Sequence, residues 1–122
     1  MTVTIYGIPN CDTMKKARTW LANHGIAYEF HNYKTDGIDR KRLDLWCRKL
    51  GWEVVFNRAG TTFRGLPEAD KAALDQKKAV ALMQAHPSLI KRPVLDVDGN
   101  LLAGFNADRY REALLSDRDL AP

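Results

Sequence analysis

Cysteine is scarce in this chain, with two residues, Cys11 and Cys47, among 122. Two cysteines cannot make the disulfide framework on which small secreted domains depend, so each thiol is either catalytic or buried. The sequence also has no apolar run long enough for a transmembrane helix, and Met1 leads directly into a strand pattern rather than into a secretion signal. These features predict a cytoplasmic protein with no membrane partner.

Positive and negative residues are mixed along the whole sequence. The net charge of +4 comes from 19 basic and 15 acidic residues. The densest basic stretch, residues 40–42, is flanked by Asp39 and Asp44, which is typical of the solvated face of a helix. Nucleic acid is therefore at most a minor alternative as a partner. The three histidines lack metal-ligand spacing with the cysteines, so we expect neither a metal nor a bound cofactor.

The order of sequence patterns predicts an α/β fold. Residues 2–6 form a β-branched strand pattern, residues 12–24 an amphipathic helix pattern that Gly25 ends, and residues 26–33 a second strand pattern. A unit of this kind favours two parallel strands joined by a right-handed crossover. The chain therefore begins with β-α-β.

The rest of the chain continues with helices and ends with a β-β-α pattern. Helices capped by Asp39 and Asp75 are predicted, with a loop at residues 57–67 between helical segments. Pro93 then precedes a strand, a tight turn, a second strand and a helix that Asn106 caps. We expect one domain over residues 1–116, with a helical insert at about 38–88 and a polar tail at 117–122.

Cys11 lies where the first strand pattern gives way to the first helix pattern. The unpaired N–H groups and the positive end of the helix dipole favour a thiolate there, as do Lys15 and Lys16 one turn along. Cys11 is therefore expected to have a lowered pKa and to act as a nucleophile, with a structural thiol as the alternative. Cys47 instead lies on an apolar helical stripe and is predicted to be a core residue.

Three parts of the chain resemble the arsenate reductase family that includes ArsC, the regulator Spx and the YffB proteins. They are residues 6–16, Arg58 and residues 86–94. The YffB subgroup is the most similar, because it has Asn-Cys-Asp-Thr followed by paired lysines, as at residues 10–16, and a Gly-Phe after the hairpin, as at 104–105. The resemblance implies a thioredoxin-like β-α-β … β-β-α sheet with an all-helical insert.

The same resemblance implies roles for individual residues. Cys11 would attack sulfur or an oxyanion, Arg58 and Arg92 would hold the anion, and a cis Pro93 would shape the surface that receives the substrate. Other residues expected to bind substrate or glutathione are Asn10, Thr13 and Lys15.

Two departures from the family patterns bear on the reaction. Arsenate reductases of this type carry a third arginine beyond the hairpin, where this chain has Ala103-Gly104-Phe105, and a compact oxyanion would lose a bidentate donor. Spx-type sensors place a second cysteine three residues after the first, where this chain has Met14. A local dithiol switch is therefore excluded, and a pairing of Cys11 with Cys47 stays open.

The predicted function is a glutathione-dependent thiol-disulfide oxidoreductase that uses Cys11 as its single nucleophile. Glutathione would be the co-substrate, an oxidised thiol the substrate, and glutaredoxin a candidate partner. One alternative is an arsenate reductase. The other is a Spx-like regulator that binds a protein partner without catalysis.

Overall fold

The computed structural model describes residues 1–115, so the predicted tail at 117–122 lies outside the described residues. The strands and helices follow the predicted order. They are β1 Val3–Gly7, α1 Asp12–Asn23, β2 Glu29–Asn32, α2 Tyr33–Asp36, α3 Arg40–Leu50, α4 Trp52–Val55, α5 Thr61–Arg64, α6 Glu68–Lys71, α7 Gln76–Ala85, a 3₁₀ turn Pro87–Leu89, β3 Val94–Val97, β4 Asn100–Ala103 and α8 Ala107–Leu114.

The strands form one four-stranded sheet in the order β2-β1-β3-β4. β3 is antiparallel to both of its neighbours, with Val3 opposite Val97 and Val97 opposite Asn100. The tight turn of this hairpin is at Asp98 and Gly99, both of which have a positive φ. The predicted α/β class and its β-α-β … β-β-α order are confirmed.

The element boundaries differ from the prediction in several places, and Tyr33, predicted as the end of the second strand, begins the helix α2. β2 begins at Glu29 rather than at residue 26, because Ile26 contributes its side chain to the core from the connection that follows α1. The predicted loop at residues 57–67 contains the one-turn helix α5. A single turn is too short to leave a periodic pattern in the sequence.

The chain folds as two compact units, one made of residues 1–31 with the chain from Arg92 onward, the other of residues 32–91. The predicted helical insert falls inside the second unit. The description of the whole chain as one domain stays a prediction.

In the first unit, α1 and α8 bury their apolar faces in one core with the sheet. The fully buried side chains of α1 are Met14, Ala17 and Leu21, which recur with the predicted helical spacing. Tyr110 of α8 and Ile5 of β1 are buried in the same cluster. This core holds the amino-terminal turn of α1, where Cys11 lies, at the end of β1.

The second unit is built from helices that bury a separate apolar set. Its caps are as predicted: Asp39 accepts a hydrogen bond from the Arg42 N–H (2.7 Å) and Asp75 from the Lys78 N–H (2.8 Å). Its longest helix, α3, buries Leu43, Trp46 and Cys47 along one stripe. Among residues 1–115, no helix has the length and apolar character that crossing a membrane requires.

Candidate active site

Cys11 is the N-cap residue of α1. Its backbone is extended, with φ of −138°, and its carbonyl accepts the first helical hydrogen bond from the Lys15 N–H at 2.9 Å. The Cys11 side chain is partly exposed, and Pro9 and Asn10 just before it are exposed. The thiol therefore lies at the surface, at the end of a helix whose first N–H groups have no partner within the helix.

The surroundings of Cys11 lower its pKa. Partial burial alone would raise the pKa, but the Met14 backbone N–H, the Arg92 side chain and the Thr13 backbone N–H stabilise the thiolate and lower it. The positive charge of Arg92 adds to their effect, and the pKa ends below its ordinary value. The predicted thiolate character is thus supported by named donors.

Met14 also fixes the position of this first turn. Its side chain is fully buried and lies against Gly7, where an added Cβ would come within 2.3 Å of the Met14 Sδ. Only glycine leaves room for this approach. No local sequence signal indicates this contact, because it joins residues of two different elements, the end of β1 and the first turn of α1.

Arg92 and Pro93 reach the site from the segment that enters β3. The peptide bond between them is cis, as the resemblance implies. Pro93 is buried, and its carbonyl accepts a hydrogen bond from the Gly104 N–H at 2.8 Å. This bond joins the turn after β4 to the segment that carries Arg92.

The structure divides the predicted site residues of the first unit into two groups. Arg92 and Thr13 act on the sulfur, Thr13 through its backbone rather than its hydroxyl. Lys15, which was expected to favour the thiolate, is exposed on the outer face of α1, and Arg92 is the cation that acts on Cys11. The roles of Asn10 and Lys15 toward a substrate stay predictions.

Arg58 belongs to the second unit. It is exposed, and its guanidinium carbon lies 5.6 Å from the centroid of the Trp52 ring, a cation–π distance. Arg64, in the same segment, instead donates a hydrogen bond to the Ala59 carbonyl at 3.1 Å. Arg64 thus stabilises the segment, whereas anion binding by Arg58 stays a prediction.

Cys47 is confirmed as a core residue. It is 3% exposed, and burial, followed by the charge of Asp44, raises its pKa to about 11. Such a thiol stays protonated at neutral pH, and protonated thiols are poor nucleophiles. Both cysteines are free.

No three His, Cys, Asp or Glu residues within the described range 1–115 come together as a possible metal site.

The chain is similar to proteins of a known family. The model of the ArsC family matches residues 6–113. The global transcriptional regulator Spx of Streptococcus mutans is 30% identical over 117 residues, which cover 94% of this chain and 85% of the regulator.

Solved structures show the same fold. A YffB protein is 60% identical, with a TM-score of 0.91 over 93% of this chain and 99% of its own. An arsenate reductase from Vibrio cholerae is 25% identical, with a TM-score of 0.80 over 93% and 98% of the two chains. The thioredoxin-like fold is thereby confirmed. Since the family model and these relatives each span nearly the whole chain, the protein belongs to the ArsC family.

Proposed function

We propose that this protein is a cytoplasmic thiol-disulfide oxidoreductase that acts through Cys11 alone and uses glutathione as co-substrate. The observation that carries the proposal is the place of Cys11, a partly exposed thiol at the N-cap of α1, where the backbone of Met14 and Thr13 and the side chain of Arg92 lower its pKa. A partly exposed thiolate at a helix start is the arrangement that thiol-disulfide exchange requires.

The reaction proceeds in two exchanges. The Cys11 thiolate attacks the glutathione sulfur of a mixed disulfide between glutathione and a second thiol. The new bond joins Cys11 to glutathione, and the second thiol leaves with the electron pair and takes up a proton. A free glutathione thiolate then attacks the glutathione sulfur on Cys11, which releases oxidised glutathione and restores the Cys11 thiolate. The substrate thiol is released in its reduced form, and one free glutathione is oxidised as it joins the transferred glutathione in a disulfide.

The need for an external thiol follows from the two residues that might otherwise resolve the intermediate. Met14, three residues after Cys11, has no thiol and is fully buried. Cys47 is buried and has a raised pKa, so it is protonated under the conditions in which Cys11 reacts. Glutathione supplies the missing thiol, and its two carboxylates suit a site that contains Arg92.

Mass spectrometry of the chain after exposure to oxidised glutathione tests this proposal. We expect one glutathione adduct, on the peptide that contains Cys11, and its removal by excess reduced glutathione. The Cys47→Ala variant should form the same adduct, and Cys11→Ser should form none. An adduct on Cys47 alone, or a disulfide between the two cysteines as the main product, would contradict the single-nucleophile mechanism.

Arsenate reduction is the second candidate, because Arg92 lies at the thiolate and the Vibrio cholerae arsenate reductase has the same fold. Reduction of arsenate to arsenite takes two electrons, which Cys11 and one glutathione would supply by ending as a mixed disulfide. Arsenite production with glutathione and glutaredoxin, lost in Arg92→Ala, would support this candidate. Turnover of a glutathione mixed disulfide without arsenite production would exclude arsenate reduction and support the thiol reductase reaction.

Binding without catalysis is favoured by the 30% identity to Spx. A regulator of that kind would bind its protein partner equally well without the Cys11 thiol. Binding of purified bacterial RNA polymerase that Cys11→Ser retains, together with no turnover of mixed disulfides, would favour the regulator over the enzyme.

A further inference from the structure

A groove on the first unit is lined by none of the residues that lower the pKa of Cys11. It has a volume of about 450 Å³, within the range of about 300–1,000 Å³ that is usual for ligand sites, and its lining is mostly apolar. Side chains of α1 form one side of the groove, and the chain at the start of α8 forms the other. The groove is lined by Lys15, Lys16, Thr19, Trp20, Phe105 and Ala107.

The aromatic walls of the groove are held rigidly. Trp20 meets Tyr110 edge to face, with ring centroids 5.7 Å apart and an interplanar angle of 88°. Phe105 meets the same tyrosine at 4.9 Å and 90°. Because Tyr110 is fully buried in the core, it holds both walls in place before any ligand arrives. A preformed aromatic pocket of this kind suits an apolar side chain.

The edge of the groove is cationic. Lys15 and Lys16 are both exposed at the end of the groove that is nearer to Cys11. An acidic group next to an apolar side chain would therefore find a matching charge there, whereas a basic group would be repelled.

The groove adjoins the reactive cysteine. Lys15 lies about one helical turn after Cys11, about 5.4 Å along the helix axis. Its backbone N–H donates a hydrogen bond to the Cys11 carbonyl. From the other side, Phe105 follows Gly104, whose N–H bonds to the Pro93 carbonyl. Trp20 lies nine positions after Cys11, about 13 Å along α1, which an extended peptide spans in about four residues at 3.3 Å each.

We propose that this groove binds a segment of a protein substrate, an apolar side chain with an adjacent Asp or Glu, two to four residues from the glutathionylated cysteine that Cys11 attacks. The inference rests on the proposed function and names its substrate class as glutathione mixed disulfides of proteins. Glutathione itself is transferred to Cys11, and the groove holds the protein that carries it.

Synthetic peptides provide the test. Each peptide contains one glutathionylated cysteine. In the first peptide the dipeptide Phe-Glu begins three residues from this cysteine, and in the second peptide Ser-Lys occupies the same two positions. The measured quantity is the rate constant for transfer of glutathione to Cys11 in the full chain. We expect the first peptide to react about tenfold faster than the second, from burial of the Phe side chain and the matched charge.

Substitutions of Thr19 that change the charge of the groove test the same idea in the protein. Thr19 is exposed, lines the groove and has no part in the exchange reaction. Thr19→Lys should raise the rate of the acidic peptide by about threefold, and Thr19→Glu should lower it by a similar factor. The same substitutions at Ala81, exposed on α7 of the second unit, should change little. Oxidised glutathione should react equally with all four variants.

The outcomes separate the two proposals. Equal rates for both peptides, with oxidised glutathione still reacting at Cys11, would overturn the docking groove and keep the thiol reductase. Effects of the Thr19 variants on oxidised glutathione as large as those on the acidic peptide would also overturn it, because the groove would then hold glutathione. No transfer from either peptide or from oxidised glutathione would overturn the proposed function itself.

Discussion

Cys11 and Cys47 carry the same thiol in two different regions of the molecule. Cys11 caps the start of α1, where free N–H groups from Thr13 and Met14 and the side chain of Arg92 outweigh the effect of burial and lower the pKa. Cys47 lies inside α3, where burial raises the pKa to about 11. N–H groups within a helix are already bonded to the preceding turn, so a thiol there finds no donors. The position of a cysteine along a helix therefore decides whether it reacts.

The largest expected effect is the difference in alkylation between the two thiols. At neutral pH the thiolate fraction of Cys11 should exceed that of Cys47 by more than about 100-fold, because each unit of pKa is a factor of ten, the Cys11 pKa lies below its ordinary value of 9.0 and the Cys47 pKa is about 11. Iodoacetamide rates read by peptide mass spectrometry at several pH values measure this. In urea the two rates should become equal; equal rates in the folded protein would show that the helix start does not activate Cys11.

Gly7→Ala tests whether the packing of Met14 supports the activated thiol. The new Cβ would lie 2.3 Å from the Met14 Sδ, and since Met14 is fully buried, its side chain cannot move away without disturbing the core. We expect the free energy of unfolding to fall by about 1–3 kcal/mol. Alkylation of Cys11 should slow as the Met14 N–H shifts. Urea denaturation measures the first effect, and iodoacetamide the second.

Gly60→Ala is the matched control, since its Cβ would meet only Asn57 Nδ2, at 3.4 Å. It should leave stability and Cys11 reactivity nearly unchanged. In the double variant Gly7→Ala with Met14→Ala, the loss in the free energy of unfolding should be clearly smaller than the sum of the losses in the two single variants. Simple additivity would mean that Gly7 and Met14 do not constrain each other.

The two thiols should also affect stability in opposite directions as the pH rises. The pKa of Cys47 is about 11 in the folded chain against an ordinary value of 9.0, so above about pH 9 the unfolded chain loses its proton first and stability falls until about pH 11. The pKa of Cys11 is lowered by folding, so it adds stability above its unfolded value and loses it as the pH falls through the folded value.

Urea denaturation of the native chain and of Cys47→Ala, each at pH 7.5 and 10, measures this contribution. The cavity that alanine leaves costs the same at both pH values, so it cancels in the comparison. We expect the native chain to lose about 1 kcal/mol more than the variant between the two pH values. An equal loss in both proteins would mean that Cys47 does not resist ionisation.

The smallest expected effect belongs to Arg92. Without its hydrogen bond and charge, the pKa of Cys11 should rise, and the alkylation rate at pH 7 should fall by about two- to fivefold in Arg92→Ala. Arg92→Lys should keep the positive charge but lose the directed hydrogen bond, so its alkylation rate should lie between those of the native protein and Arg92→Ala. Arg111→Ala, an exposed arginine of the same unit, is the control. An unchanged rate in Arg92→Ala would assign the activation to the backbone N–H groups alone.

Local sequence signals predicted most of the fold. The caps at Asp39, Asp75 and Asn106 and the turn at Asp98-Gly99 each depend on a side chain or glycine acting within a few residues, so they were visible in the sequence. The helix start at Cys11 was predicted for the same reason. Boundaries that depend on packing were not, as the late start of β2 shows.

The candidate site was only partly visible. The resemblance to the ArsC family indicated Arg92, but nothing local showed that Arg92 rather than Lys15 would act on the sulfur. The walls at Trp20 and Phe105 come from distant parts of the chain, and each residue alone resembles an ordinary core aromatic. Contacts between distant residues leave no periodic signal in a single sequence.

The sequence by itself determined that Cys11 would begin a helix, and with it the source of two N–H donors, because capping and helix periodicity act over a few residues. The tertiary structure decided which cation acts on the thiol, how closely Met14 approaches Gly7, and that a groove with aromatic walls adjoins the site. These features depend on side chains that only the packing of α1, α8 and the sheet brings together.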